Sequence, residues 1–463
     1  MQKNKEPFLT ALAARYKEEG TLLTEPADCW SYGYDNSRRQ GQAIAVVLPC
    51  SHQQVVDTVK LCNQYSISIT ARGAGTGTTG ASVPAEDSIV LSTEKMNTII
   101  KVDPDNRVMV VEPGVSNQAI QVAAAEHGFF WPPDPTSSSV CTVGGNLAYN
   151  SAGPRAVKYG TPRENTLGLN CVTGAGESLK TGAYTTKSVV GYDLTRLIIG
   201  SEGTLAMITE ATLKLTPLAE TKHTIQALYN SVEAAANAVA NIMAQAITPC
   251  ALEFMDGTAI ALVKEKAKLK LPDDAQALLM IEVDGDQFGI EKMSQEVARS
   301  ASVDGAIEVK LATTKQQVTQ LWQARKALSP SLRKIAPKKI NEDVVVPVSK
   351  IPALIHGLQK LSTKHQIPIV NFGHAGNGNI HVNLLVQTEQ LETAKHCLSE
   401  VFALVMSLNG SLSGEHGIGL EKRDYISLEL DPTSIAIMQK IKAQFDPLNL
   451  LNPGKMFPLR PDK

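Results

Sequence analysis

The feature that most constrains this fold is the glycine-rich stretch RGAGTGTTG at residues 72–80, together with the segments that lead into it. Residues 43–48 are typical of a buried strand, and apolar residues at helical spacing predict a helix over residues 52–65. Residues 67–71 predict a second strand that runs directly into the glycines. No helical pattern opens after this loop, which argues against the strand–loop–helix unit of nicotinamide dinucleotide folds.

A loop of this composition is suited to an anion. Glycine lets the backbone approach a ligand closely, and successive backbone N–H groups form a concave anion site. Thr76, Thr78 and Thr79 can add hydroxyl donors, so a pyrophosphate is the expected guest. Similar glycine loops occur at residues 142–153 and 200–205. Three such loops in one block suggest a single extended ligand that crosses the domain.

The rest of the chain alternates between strand and helix patterns. Residues 131–155 are predicted to be rich in loops. The pattern of predicted elements changes after Pro217 and again near Gly410. The further predicted strands are 89–91, 98–102, 108–111, 168–173, 206–215, 277–283 and 344–346. The further predicted helices are 114–127, 232–246 and a segment near 313–332.

Length and composition exclude several classes of protein. A chain of 463 residues is too long for one core, so two or three domains are expected. A net charge of -2 gives no reason to expect binding to nucleic acid or to an anionic membrane. The seven cysteines form no CxxC pair, which argues against an iron–sulfur cluster, a zinc ribbon and a disulfide framework. We expect reduced thiols in a cytoplasmic protein with no secretory signal and at most peripheral membrane contact, at the inner face of the membrane.

Seven motifs, in order, carry a resemblance that covers nearly the whole chain. They are RGAGTGTTG at 72–80, PPDPTSSS at 132–139, TVGGNLAYNSAG at 142–153, IIGSEGTLAMITEATLKL at 198–215, NFGHAGNGNIHVNLL at 371–385, SGEHGIGLEKR at 413–423 and LNPGKMF at 451–457. The chain resembles the FAD-linked oxidases of the vanillyl-alcohol oxidase superfamily, the group that contains D-lactate dehydrogenases, glycolate oxidase flavin subunits and D-2-hydroxyglutarate dehydrogenases.

The resemblance implies an α+β fold in three parts. A two-part FAD-binding domain of the vanillyl-alcohol oxidase type would occupy residues 1–218. An α+β substrate (cap) domain with a metal site would occupy 219–410. A C-terminal segment, 411–463, would return to the flavin and complete the active site.

The resemblance also implies which residues bind the cofactor. The FAD contacts would be made by Arg72, Gly73, Ala74, Gly75, Thr76, Gly77, Thr78, Pro135, Thr142, Gly144, Gly145, Asn146, Ser151, Gly153, Glu202, Gly203, Ile208 and Asn452. Some relatives attach FAD through a histidine in the first glycine loop. No histidine lies between His52 and His127 here, so non-covalent FAD is expected.

Two histidines and a glutamate suggest a metal site. His374 and His381 bracket a loop that we expect to be flexible enough to turn both rings inward, and Glu415 lies in another glycine-rich turn. Two imidazoles and a carboxylate leave open positions on zinc or a similar divalent ion such as manganese or iron(II). The positions match the metal ligands of the family.

The expected reaction is oxidation of a small D-2-hydroxy acid to the 2-oxo acid. The metal would polarise the substrate hydroxyl, and His416 would act as general base while hydride passes to flavin N5. The resemblance implies that Arg325 clamps the substrate carboxylate. Relatives that oxidise dicarboxylates have a lysine where Asn341 stands, which favours D-lactate or glycolate.

Three alternatives stay open. D-2-hydroxyglutarate dehydrogenase is one, because Lys338 and Lys339 lie close to Asn341. An FAD-dependent transferase of the ether-lipid synthase type is another, although no long apolar segment supports it. A non-catalytic metal-binding protein that kept the fold is the third, although His416, Arg325 and the complete glycine loops argue against it. The electron acceptor is expected to be a quinone, a cytochrome, an electron-transfer flavoprotein or a separate iron–sulfur subunit, and the chain could form a homodimer.

Overall fold

The computed structural model describes residues 2–267, 271–312, 314–332 and 336–458. The helices are α1 Gln2–Ala13, α2 Pro26–Cys29, α3 His52–Tyr65, α4 Asn117–Ala125, α5 Val143–Tyr149, α6 Ala156–Tyr159, α7 Leu194–Ile198, α8 Val232–Ala244, α9 Gly257–Ala267, α10 Ile290–Ala301, α11 Lys315–Leu332, α12 Ile351–His365, α13 Leu391–Ser407 and α14 Pro432–Phe445. Within these residues, no helix is both long and apolar enough to cross a lipid bilayer.

The described residues also form eighteen strands. They are β1 Leu22–Leu23, β2 Ala45–Val47, β3 Ser68–Arg72, β4 Ser88–Ser92, β5 Ile99–Asp103, β6 Val108–Val111, β7 Phe129–Phe130, β8 Thr166–Thr173, β9 Ser178–Gly182, β10 Ala206–Lys214, β11 Thr216–Pro217, β12 Thr221–Tyr229, β13 Ala251–Asp256, β14 Ala277–Gly285, β15 Ala306–Leu311, β16 Lys338–Val345, β17 Ile369–His374 and β18 Asn379–Val386.

The chain packs as two compact units. The first unit consists of Met1–Ala152, Gly160–Leu218 and Glu415–Lys463, and the second of Gly153–Tyr159 and Ala219–Gly414. Each unit therefore draws on segments that are distant in sequence.

The first unit contains two main sheets. One has the order β1-β2-β4-β3, in which β2, β4 and β3 run parallel. Helices α1 and α3 supply Phe8, Leu12, Val55 and Val59 to the apolar core of this sheet. The other sheet is antiparallel, with the order β5-β6-β10-β8-β9, and its core includes Trp131.

The predicted helix over residues 52–65 is confirmed as α3. The Ser51 side chain accepts a hydrogen bond from the Gln54 backbone N–H and caps the start, and Ser66 adopts a left-handed conformation at the end. Val55, Val59 and Cys62 are buried on one face, as their spacing predicts.

The second unit is built on a seven-stranded antiparallel sheet with the order β15-β12-β14-β13-β17-β18-β16. Helices α9 and α11 pack together, and α11 contributes Leu321, Ala324 and Leu328 to a core shared with β13, β14 and β17. Helix α8 packs against α10 and α12. The predicted helix near residues 313–332 is confirmed as α11, although residue 313 lies outside the described residues.

The prediction that residues 131–155 are rich in loops is confirmed, and one short helix interrupts them. Helix α5 forms there because Thr142 caps it and its Val143 and Leu147 are buried. The expectation that a flexible loop joins His374 to His381 is wrong. The connection is a tight hairpin between β17 and β18, in which a Cβ on Gly378 would lie 1.8 Å from the Val346 carbonyl oxygen.

Candidate active site

The first glycine loop begins where β3 ends, and it lies against the start of α5. A Cβ on Gly73 would come within 2.5 Å of the Thr142 Oγ1, and one on Gly77 within 2.7 Å of the Tyr149 hydroxyl. The Asn36 side chain donates a 3.0 Å hydrogen bond to the Thr76 carbonyl oxygen. The loop is thus supported from both sides at positions where a larger residue would not fit.

The second loop is organised by the cap of α5. The Thr142 Oγ1 accepts a 3.4 Å hydrogen bond from the Gly145 N–H. Asn146 accepts a bond at Oδ1 from the Asn117 side chain at 3.2 Å, and its carbonyl oxygen accepts the Ser151 N–H at 2.9 Å. These bonds bring Thr142, Asn146 and Ser151 together around one short helix.

The third loop is tied to the C-terminal tail. Asn452 accepts the Ala71 N–H at its Oδ1 (3.2 Å), and its Nδ2 donates to the Glu202 carbonyl oxygen at 2.8 Å. Gly203 has φ +66, and a Cβ there would lie 2.8 Å from the Cβ of Ala71 and 3.0 Å from the Asn452 Nδ2. Asn452 therefore joins the end of β3 to the turn after α7.

Glu202 and Lys455 add buried charge to this region. The Glu202 carboxylate accepts the backbone N–H groups of Ile418 and Gly419 at 2.6 and 2.7 Å. Burial raises the pKa of the Glu202 carboxyl to about 7, although these two hydrogen bonds act in the opposite direction. Burial likewise lowers the pKa of the Lys455 ammonium to about 7, and it donates to Asn452 at 3.1 Å.

Three further residues that are expected to contact FAD also lie in the first unit. The Arg72 guanidinium donates to the carbonyl oxygens of Tyr34 and Ser31 at 2.9 and 3.4 Å, so its side chain holds the 31–34 segment. Ile208 belongs to the apolar core of the antiparallel sheet, and Pro135 is buried.

Two buried hydroxyls test whether these loops fit a phosphate-bearing cofactor. Among the residues that the structure describes, the Thr78 Oγ1 and the Ser201 Oγ have no hydrogen-bond partner. Leaving such a group unpaired costs about 1–3 kcal/mol, so a ligand oxygen is the natural partner. The donors and the crowded glycines therefore fit a dinucleotide cofactor.

A second cluster lies on one face of the seven-stranded sheet. His374 ends β17, and its ring centroid is 5.2 Å from that of His381 on β18. The His374 Nδ1 donates to Glu253 Oε1 at 2.5 Å, and the Nε of Arg325 donates to Glu253 Oε2 at 2.5 Å. The Arg325 guanidinium also lies 4.8 Å above the Phe372 ring centroid.

All four polar residues of this cluster are buried. Glu253 is 1% exposed, and Arg325, His374 and His381 are 6–7% exposed. Burial alone would raise the pKa of the Glu253 carboxyl, but the charges and hydrogen bonds of His374 and Arg325 hold it below its ordinary value. The cluster can present one cation and two imidazoles to a small anionic ligand.

The predicted residues Glu415 and His416 open the last segment of the first unit. The Glu415 carbonyl oxygen accepts the Ser151 hydroxyl at 3.2 Å, and that of His416 accepts the Thr79 hydroxyl at 3.3 Å. Gly153, with φ +77, begins the short segment that packs with the second unit.

The residue just before Glu415 is anchored in the second unit. The Gly414 N–H donates to the Asp343 carbonyl oxygen at 3.0 Å and to its carboxylate at 2.9 Å. Asp343 is the cross-strand partner of His381. Glu415 follows Gly414 directly in the chain, so its Cα lies about 3.8 Å from the Cα of this anchored residue.

Glu253 and Asp343 are not predicted by the sequence patterns. A signal for Glu253 was present, because a lone carboxylate interrupts the apolar run ALEFM at residues 251–255. Charged residues are almost never fully buried unless they are paired, so an acid in a buried strand indicates a partner.

Comparison with known families gives matches over most of the chain. Residues 43–182 match the family described as "FAD binding domain", and residues 218–456 match "FAD linked oxidases, C-terminal domain". These two matches show that the chain binds FAD.

Curated relatives match over nearly their full length. The glycolate oxidase subunit GlcD of Bacillus subtilis is 37% identical, with 92% of each chain covered. A D-lactate dehydrogenase of Archaeoglobus fulgidus is also 37% identical, over 90% of this chain and 92% of the relative. A D-2-hydroxyglutarate dehydrogenase of Xanthomonas citri is 33% identical, over 94% of each.

Solved structures confirm the fold predicted from the motifs. p-Cresol methylhydroxylase superposes with a TM-score of 0.81 at 16% identity, covering 100% of this chain and 99% of that structure. Alkyldihydroxyacetonephosphate synthase superposes with a TM-score of 0.75 at 20% identity, covering 97% and 86%. The fold is the two-domain FAD-binding fold of the vanillyl-alcohol oxidase relatives, and the chain belongs to the FAD linked oxidase family of flavoprotein oxidoreductases.

Proposed function

We propose that this enzyme oxidises a small D-2-hydroxy acid, D-lactate or glycolate, to the corresponding 2-oxo acid. The observation that carries the proposal is the buried cluster of Arg325, Glu253 and His374 beside His381. The cluster brings together a cation that could bind a substrate carboxylate and two imidazoles that could bind a divalent metal. The names of the relatives, glycolate oxidase subunit and D-lactate dehydrogenase, support the same substrate class.

We assign the parts of the chain accordingly. Residues 1–218 would bind FAD, residues 219–410 would bind the substrate and the metal, and residues 411–463 would complete the active site. Bound FAD would supply the hydride acceptor at N5. We propose that FAD is held non-covalently by residues 72–78 and the other predicted contacts in the first two glycine loops, the third loop and the tail, with the Thr78 hydroxyl among the donors.

We propose His374, His381 and Glu415 as the metal ligands. Two imidazoles and a carboxylate are a donor set suited to zinc, and manganese or iron(II) would also accept them. A divalent metal there would supply Lewis acidity at the substrate hydroxyl.

Two side chains would then act on the substrate directly. The guanidinium of Arg325 uses Nε for Glu253, which leaves its two Nη groups for the substrate carboxylate in the paired geometry that arginine favours. His416 would accept the hydroxyl proton at an imidazole nitrogen, since a neutral imidazole suits a general base near neutral pH.

D-2-Hydroxyglutarate is the second candidate substrate, and one observation favours it. Lys339 lies two residues from Asn341 on β16, and both project to the face that carries His381. A lysine there could pair with a second substrate carboxylate. The likeness to alkyldihydroxyacetonephosphate synthase, at 20% identity, concerns the fold alone and does not support a transferase.

We also propose that the electrons leave to a separate redox partner: a quinone, a cytochrome, an electron-transfer flavoprotein or an iron–sulfur subunit. The word "subunit" in the names of the GlcD relatives supports a partner chain. The proposed location is the cytoplasm, with peripheral contact at the inner face of the membrane.

An anaerobic absorbance titration tests the function. The purified flavoprotein is mixed with D-lactate, L-lactate, glycolate or D-2-hydroxyglutarate, and the oxidised flavin band is followed. We expect D-lactate or glycolate to bleach the band, and a chelator to abolish the bleaching. A yellow protein that none of the four acids bleaches would refute the hydroxy-acid assignment.

A further inference from the structure

Glu253 joins two residues of the proposed active site that come from different elements. It lies on β13 with 1% of its surface exposed. Its Oε1 accepts the Nδ1–H of His374 at the end of β17, and its Oε2 accepts the Nε–H of Arg325 on α11, both at 2.5 Å. One carboxylate therefore fixes a proposed metal ligand and a proposed substrate clamp together.

We propose that Glu253 is a positioning residue for this reaction, which fixes His374 in the tautomer that binds metal through Nε2 and aims the Arg325 guanidinium at the substrate carboxylate. This inference rests on the proposed function and deepens it.

The hydrogen-bond chemistry leaves few other arrangements. Arginine has donors only and stays charged, so the Glu253 oxygen that faces Arg325 must be an acceptor. The carboxylate offers its second oxygen to His374, which makes Nδ1 the protonated nitrogen. In a neutral imidazole the lone pair then sits on Nε2. A carboxylate behind a ligand histidine sets both the ring orientation and the basicity of the ligand nitrogen.

Glutamine is the informative replacement, because it keeps the shape of glutamate but not its two acceptors. The side-chain amide of the Glu253→Gln variant would have one oxygen and one NH2 group. If the amide oxygen faced His374, the NH2 group would face the Nε–H of Arg325, and two donors would meet. In the reverse orientation the NH2 group would face the Nδ1–H of His374, and again two donors would meet. The variant must therefore either misplace Arg325 or change the tautomer of His374.

Glu282 provides a matched control on the same sheet. It lies on the neighbouring strand β14, is 3% exposed, and accepts the Nε1–H of Trp322 at 2.7 Å, one turn before Arg325 on α11. It also pairs with Lys222 at 2.9 Å. Neither partner is a proposed site residue, so Glu282→Gln reports the general cost of losing a buried carboxylate beneath this helix.

The first measurement is zinc affinity. Metal-free, FAD-loaded wild type, Glu253→Gln and Glu282→Gln are each titrated with Zn²⁺ against a chromophoric chelator. We expect Glu253→Gln to raise the zinc dissociation constant about 10–100-fold, the usual effect of removing a carboxylate behind a ligand histidine. The constant for Glu282→Gln should stay close to the wild-type value. In steady-state assays, Glu253→Gln should also raise the KM for D-lactate, because Arg325 loses its support.

The second measurement reads the tautomer without metal. Metal-free protein with ¹⁵N-labelled histidine is compared with a His374→Gln variant, which identifies the His374 signals in long-range ¹H–¹⁵N spectra. We expect wild type and Glu282→Gln to show one protonated nitrogen, Nδ1, and Glu253→Gln to show a mixture of tautomers.

The outcomes separate this inference from the proposed function. Equal zinc affinity in wild type and Glu253→Gln, or equal weakening in both variants, overturns the positioning role. If wild type binds no zinc, the proposed metal site fails, and the tautomer measurement alone then decides whether Glu253 positions His374. An unchanged His374 tautomer in Glu253→Gln, together with an unchanged KM for D-lactate, overturns the inference in either case.

Discussion

The glycine loops of the first unit and the histidine hairpin of the second unit are constructed in opposite ways. The loops are irregular backbone, crowded around Gly73, Gly77 and Gly203 at positions where a Cβ would clash. The hairpin is regular strand, and its chemistry lies in the side chains of His374 and His381. We expect the first site to present mainly N–H groups of the backbone, whereas the second carries its imidazoles on paired strands.

This difference determines what holds each site in place. Irregular backbone needs support from elsewhere, and the tail supplies it through Asn452 and through a parallel bridge between Ile69 and Leu451. The strands of the hairpin hold each other through their ladder, and a buried carboxylate on β13 completes the arrangement. Glycine substitutions and loosening of the tail should therefore damage FAD binding, whereas histidine substitutions should damage turnover.

The largest effect is expected from His381→Ala. Loss of one of two proposed imidazole ligands should lower kcat about a thousandfold, since Lewis-acid assistance contributes several kcal/mol to catalysis. The flavin absorbance per mole of protein should stay at the wild-type value, because the glycine loops are untouched. His396→Ala removes an exposed histidine on α13 and should have no effect on either quantity. Retained turnover in His381→Ala would contradict the proposed role of His381 as a metal ligand.

The next effect concerns the support of the loops. Lys442 is buried on α14, where it pairs with Asp446 at 2.5 Å and donates to the carbonyl oxygens of Thr204 and Leu451 at 2.9 Å each. Lys442→Met leaves the Asp446 carboxylate buried without its cation, which costs about 3–5 kcal/mol. We expect FAD to be released at a markedly lower temperature in a thermal scan of flavin fluorescence.

Lys395→Met is the matched control for that scan. Lys395 pairs with Glu392 on an exposed face of α13, where such pairs contribute about 0–1 kcal/mol. Its release temperature should equal that of wild type. A similar drop in both variants would show that the tail is not what supports the loops.

A smaller effect is expected from Gly203→Ala. The added Cβ meets Ala71 and Asn452 in a left-handed conformation, so the FAD dissociation constant should rise about tenfold, the equivalent of about 1.4 kcal/mol. Gly128→Ala is the control, because Gly128 has φ +79 with open space around its Cβ position. Equal FAD affinity in Gly203→Ala and Gly128→Ala would mean that crowding is not what matters at this position.

The last effect concerns the stability of the fold and is a pH dependence from Glu202. Its pKa is raised from 4.5 to about 7 in the folded protein, so the folded state holds this proton more tightly than the unfolded chain. Its contribution to stability is complete below about pH 4.5 and declines as pH rises to about 7. Urea unfolding of Glu202→Gln should lack this decline, a difference on the order of 1–3 kcal/mol between the ends of the window. If the free energy of unfolding varies with pH in the same way in wild type and Glu202→Gln, this assignment to Glu202 is wrong.

The sequence predicts these two regions to different depths. Glycine density located the loops, and the spacing of Val55, Val59 and Cys62 predicted α3 because periodicity and capping agree there. Helix α5 was missed because its glycine pair reads as loop, while the Thr142 cap and the burial of Leu147 decide the outcome. Local propensity is a weak guide where tertiary packing competes with it.

The partners of the histidines could not be found by local reasoning. Glu253 meets His374 across 121 residues of sequence, and strand pairing across β13 and β17 creates that contact. Cross-strand neighbours depend on sheet order, which no short pattern specifies. The acid in the apolar run of β13 indicated that a partner existed but not which residue it was.

The hydrogen bond between Ala71 and Asn452 has a consequence for folding during synthesis. These residues are 381 positions apart, so at ordinary rates of translation the ribosome makes Asn452 on the order of 20–80 seconds after Ala71. During that interval the edge of β3 lacks its last neighbour, and the first glycine loop lacks the support of the tail. A nascent chain that stops before Asn452 carries all three glycine loops but lacks the side chain that joins the first loop to the third.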